Sequence, residues 1–125
     1  MGKAFTSRPR VFVVDDEMDI AKLLVVILQM NSFDAVPFVD PQAALEAARA
    51  EAPDYLIADI VMPEMTGIEL AIAIKSGIPT CKILLFSGKL GALELINHAS
   101  EAGHIFPMVE KPIHPTKLIE AIRDL

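Results

Sequence analysis

Short unbroken apolar runs alternate along this chain with longer stretches in which apolar residues recur every three or four positions. RVFVV (10–14), YLIAD (55–59) and CKILLFS (81–87) are continuous runs, the pattern of strands buried on both faces. DAVPF (34–38) and IFPMVE (105–110) each contain a proline, which suits the first to an edge position and interrupts the second. After Glu17, residues Ile20, Leu23, Leu24, Ile27 and Leu28 fall at helical spacing, with Asp16 a natural cap and Asn31-Ser32 a natural close. Asp40-Pro41 opens a second helix through QAALEAARAEA to Pro53, with Asp at the cap and Pro at the first turn. TGIELAIAIKSG (66–77) reads as a third helix and residues 90–102 as a fourth, closed by Gly103. PTKLIEAIRDL (115–125) is a fifth, with Leu118, Ala121, Ile122 and Leu125 on one side.

Five strand–helix units with short connections force parallel strands and right-handed crossovers. The expected architecture is α/β: a doubly wound, five-stranded parallel sheet with helices on both faces. An edge-like second strand suits the flavodoxin-like order 2-1-3-4-5.

Composition narrows the function classes. The 125 residues are 53% hydrophobic and 22% charged, as in a compact domain, and show no linker or repeat. A net charge of −6 argues against direct contact with nucleic acid or an anionic membrane. The longest apolar run, LLVVIL (23–28), is far too short to span a bilayer, and VFVV (11–14) is too short for a signal peptide. The single cysteine, Cys81, lies in an apolar run and reads as a small buried hydrophobe. These features describe a cytoplasmic protein without membrane insertion.

The chemistry lies at one rim. Ligands of an open parallel sheet sit at the carboxyl ends of its strands, near the switch point between strands 1 and 3. Asp15 and Asp16 follow strand 1, Asp59 closes strand 3, Ser87 closes strand 4, and Lys111 closes strand 5. Three clustered carboxylates repel one another unless a cation joins them, and Mg²⁺ takes oxygen ligands. With an ammonium and a hydroxyl alongside, such a site is suited to receive a phosphoryl group on a carboxylate.

VDDE after strand 1, ADIVMPEMTGIEL around Asp59, LLFSG ending strand 4 and VEKP ending strand 5 resemble, as a set, the receiver domain of two-component response regulators. The similarity runs from about Arg10 to Leu125, leaving residues 1–9 as an N-terminal extension before a receiver domain at 10–125. It implies a phosphorylation-controlled signalling module rather than an enzyme, its chemistry limited to its own phosphorylation and dephosphorylation. By the resemblance, Asp59 is the phosphoacceptor, and Asp15, Asp16 and the Val61 carbonyl complete the Mg²⁺ site. Ser87 and Lys111 would contact the phosphoryl group, and the Lys111-Pro112 bond would be cis. The implied partners are a sensor histidine kinase or phosphotransfer protein, and an output domain or protein on the face of helix 4, strand 5 and helix 5. One position departs from the pattern: Met108 stands where receivers commonly carry an aromatic residue, with Phe106 two residues earlier.

Two other functions compete. An Asp-nucleophile phosphatase of the haloacid dehalogenase kind also places an Asp after strand 1, but it wants a second Asp two positions on, where this chain has Glu17, and a cap insertion. A receiver fold that binds partners without phosphorylation would not need the complete set of site residues. The remaining polar features read as structural. Met62-Pro63 and Gly67 shape the loop after Asp59; Lys82, Lys89 and Lys117 read as solvated charges; and His98, His104 and His114 lack the spacing of a zinc site. No GxxxxGK, HExxH or GxSxG motif occurs.

Overall fold

A computed structural model describes residues 8–88 and 92–125. Lys3, Lys89, the start of the helix expected from residue 90 and most of the expected extension 1–9 lie outside these residues.

Strands β1 (Arg10–Val14), β2 (Asp34–Phe38), β3 (Tyr55–Asp59), β4 (Lys82–Ser87) and β5 (Met108–Glu110) form one parallel sheet in the order β2-β1-β3-β4-β5. Helices α1 (Met18–Gln29), α2 (Pro41–Ala50), α3 (Gly67–Gly77) and α4 (Ala92–Glu101) make the four crossovers, and α5 (Pro115–Arg123) follows the last strand. Strand periodicity divides the core. Phe12, Val14, Leu56, Ala58, Ile83 and Leu85 face α2, α3 and α4, while their alternates Val11, Val13, Ile57, Leu84 and Phe86 face α1 and α5. Burial on both faces explains why the three central strands are apolar throughout.

Local chemistry sets the element ends. Asp40 caps α2 by accepting from the Gln42 N–H at 3.0 Å. Thr66 and Glu69 close a reciprocal capping box on α3, at 3.1 and 2.8 Å. At α1 the expectation fails: the cap position is Glu17, not Asp16, and no side chain caps it. The Glu17 N–H donates instead to Oδ1 of Asp15 at 2.9 Å, so the acid before the turn satisfies the donor. Helix α1 ends through Ser32, at a positive φ of 70°, with the Phe33 N–H donating to the Leu28 carbonyl at 3.1 Å.

Pro37 sits in edge strand β2 opposite Val13, as its residue type requires. The last strand is shorter than the expected 105–110. It begins only after Pro107, whose carbonyl still accepts from the Leu85 N–H at 2.9 Å. Cys81 lies immediately before β4 and is fully buried, and burial pushes its thiol up to about 11 against the opposing charge of Lys75. No helix among the described residues is long and apolar enough to cross a membrane.

Candidate functional site

The parallel sheet brings distant positions to one rim. Asp15 leaves β1 with its N–H donating to the Phe38 carbonyl at 3.0 Å, and Asp59 and Ser87 are the last residues of β3 and β4. These are the buried polar residues of the described chain: Asp15 and Asp59 at 0% exposure and Ser87 at 5%. Lys111 follows β5 directly, its N–H donating to the Ser87 carbonyl at 3.2 Å, and the Lys111-Pro112 bond is cis.

The lysine ties the site together. Its Nζ donates to Oδ2 of Asp15 at 3.0 Å and to Oδ2 of Asp59 at 3.4 Å. Burial alone would lower the pKa of the ammonium. The hydrogen bond to Asp15 and the charges of both carboxylates outweigh burial and hold it above the ordinary lysine value. One carboxylate oxygen from each of Asp15, Asp16 and Asp59 lies within 4.8 Å of the others. A set of hard anionic oxygens this close fits a divalent cation of the Mg²⁺ type. Among the described residues no histidine joins that group.

Glycines set the spacing around these side chains. Gly67 opens α3 against the end of β3; its N–H donates to the Ile60 carbonyl at 2.9 Å, and a Cβ there would run into the Asp59 carbonyl oxygen. Gly88 lies flush with Lys111, and a Cβ there would sit 3.1 Å from the lysine's own Cβ. Val61 is half-buried on the loop after β3. Beside the rim, Ile20, Leu23, Leu24, Pro112 and Ile113 line a mostly apolar groove of about 450 Å³ that reaches Lys111.

The structure thus brings Asp15, Asp16, Asp59 and Lys111 together, with Ser87 at the end of the neighbouring strand and its carbonyl holding the Lys111 N–H. Phe86 escaped the sequence reading. Its ring lies under the Lys111 ammonium, 5.0 Å from centroid to Nζ, and nothing in an apolar strand run signals what passes over one of its rings. Phe106, expected on the face of strand 5, lies ahead of the shortened strand. It is half-buried against α3, α4 and Leu85. Met108 pairs with Leu85 in register and is 40% exposed.

Comparison with known proteins agrees with this geometry. Residues 11–123 match the model of the response regulator receiver domain. The response regulator receiver protein CpdR of Brucella abortus is 31% identical over 116 residues, covering 93% of this chain and 95% of that one. The DNA-binding response regulator MtrA of Mycolicibacterium smegmatis is 29% identical over 120 residues, 94% of this chain but 50% of the relative. The chain thus spans about half the length of the MtrA relatives it matches. A CheY-like receiver domain structure from Methanospirillum hungatei superposes with a TM-score of 0.85 at 25% identity, covering 94% of this chain and 93% of that one.

Proposed function

Because the chain belongs to the response regulator receiver domain family, we propose that Asp59 accepts a phosphoryl group from a sensor histidine kinase or a phosphotransfer protein, and that residues 10–125 form the receiver with residues 1–9 ahead of it. Receiver domains are signalling modules of two-component systems, which sets aside the dehalogenase-type phosphatase. The observation that carries the proposal is the cluster of three carboxylates within 4.8 Å, two of them bridged by Lys111, at the carboxyl rim of the sheet.

In the transfer, an oxygen of Asp59 forms a bond to phosphorus as the bond from phosphorus to the donor's imidazole nitrogen breaks. That nitrogen keeps the electron pair, and the product is an acyl phosphate. Asp15, Asp16, Asp59 and the Val61 carbonyl would hold Mg²⁺, which when bound supplies positive charge to phosphoryl oxygens. Lys111 must exchange its contact with Asp59 Oδ2 for a phosphoryl oxygen, and its link to Asp15 keeps it at hand meanwhile. The Ser87 hydroxyl would donate to another phosphoryl oxygen. The apolar groove beside Lys111 offers the donor protein a seat. Leu93, Ile105 and Met108 are exposed apolar side chains on α4, before β5 and on β5, and they support the α4–β5–α5 face as the surface that an output domain or protein reads.

Incubation with acetyl phosphate and Mg²⁺ should add one phosphoryl group, labile in base, seen as an intact-mass increase. Asp59→Asn should abolish it. Phosphorylation at wild-type extent in that variant would remove Asp59 from its role.

A further inference from the structure

Strand β4 and the residue that follows it approach Lys111 at two places besides Ser87. Below the ammonium lies the Phe86 ring, at 5.0 Å, inside the range at which a cation is attracted by an aromatic face. Beside the lysine's stem lies Gly88. With no Cβ, it leaves nothing between the strand and the Lys111 Cβ and carbonyl, which a side chain there would meet at 3.1 and 3.7 Å. The ring itself is fixed: Phe86 is fully buried in the cluster that holds Val13, Ile57, Leu118 and Ile122. An aliphatic side chain would fill this part of the core but would present no electron-rich face to a cation.

We propose that Phe86 is a positioning residue for Lys111, its ring face holding the ammonium while the lysine exchanges Asp59 for an incoming phosphoryl oxygen; this rests on the phosphoacceptor role of Asp59. Hydrogen bonds to carboxylates are directional, and the one to Asp59 must be given up during transfer. Attraction to a ring face varies slowly with sideways position. The ammonium can therefore slide from one oxygen to the next without leaving the ring. Gly88 makes this possible by letting the stem lie low over the strand.

The test replaces Phe86 with phenylalanines carrying one, two and three ring fluorines, which drain the ring face of charge while changing its shape little. Three readouts apply. In the unsubstituted protein, the Lys111 ε-methylene protons should resonate upfield of other lysines through the ring current, and Phe86→Leu should abolish this. Fluorination should lower the folding equilibrium constant roughly fivefold more in the wild-type background than in Lys111→Met, the scale of one cation–ring contact. The rate of phosphorylation by acetyl phosphate should fall stepwise with fluorine number at a temperature where every variant remains fully folded. Equal effects of fluorination in both backgrounds would refute the contact. A difference between backgrounds with an unchanged phosphorylation rate would leave the ring contact as a stabilising one only and overturn the positioning role. If the unfluorinated protein takes up no phosphoryl group, the phosphoacceptor reading fails instead, a result separate from either.

Discussion

Gly67→Ala and Gly77→Ala are the same substitution at opposite ends of α3, and the structure gives them opposite signs. Alanine is favoured over glycine in a helix by about 0.5–1 kcal/mol. Nothing lies within 4 Å of a Cβ at Gly77, so Gly77→Ala should realise that gain. At Gly67 a Cβ would overlap the Asp59 carbonyl oxygen and crowd the Ile60 Cα at 3.1 Å, all of it backbone that cannot swing aside like a side-chain tip. Overpacking of this kind costs about 1–3 kcal/mol. Moving the Gly67 N–H off the Ile60 carbonyl, now at 2.9 Å, forfeits about 1 kcal/mol more. After the propensity gain is subtracted, the net loss is about 2 kcal/mol, or roughly 6–10 °C in melting temperature for a domain of this size. Urea unfolding followed by circular dichroism measures both variants. Amide spectra should show the Gly67→Ala disturbance centred on Asp59 and Ile60. A Gly67→Ala protein as stable as wild type would refute the close approach of α3 to the end of β3, and with it the placement of Asp59.

Millimolar Mg²⁺ should raise the melting temperature at low salt by binding the folded state, on the order of 1 kcal/mol at a tenfold excess over Kd. Asp16→Asn should raise the metal-free melting temperature, by relieving repulsion, and shrink the Mg²⁺ response; no response in wild type would refute the metal site. Because Lys111 is raised in the folded protein, its contribution to stability is complete below the unfolded lysine value, about 10.4, and is lost as pH climbs through the folded value. In EDTA, the stability difference between wild type and Lys111→Met should therefore stay level from pH 8 to about 10 and shrink only above it. Ser32→Gly should stabilise by about 0.5–1 kcal/mol in urea unfolding, because glycine holds the 70° φ without the steric penalty of a side chain.

The sheet was legible because β1, β3 and β4 are buried on both faces and so carry no polar alternation to blur them. The site was legible for the complementary reason: polar residues that end apolar strands of a parallel sheet must fall at one rim. Two matters were not. Three consecutive acids, Asp15, Asp16 and Glu17, do not reveal which one caps α1, since the outcome depends on Asp15 being held from both sides, by the Phe38 carbonyl and by a lysine 96 residues away. The ring beneath that lysine was equally hidden. Phe86 obeys the strand pattern whether or not a cation lies over it, and only the three-dimensional approach of β4 to the residue after β5 distinguishes the two.

The prolines at the sheet's margins also decide how the molecule can be recognised. One edge strand contains Pro37, which offers no N–H, and the other is only three residues long, flanked by Pro107 and Pro112. Unpaired edges otherwise serve as templates on which foreign strands zip up, a route to both peptide capture and polymerisation. Here that backbone vocabulary is nearly silenced on both sides. Partners are left to read chiefly side chains on helices and at the rim, the parts that the proposed chemistry at Asp59 would alter, and crowded copies find little strand edge to extend.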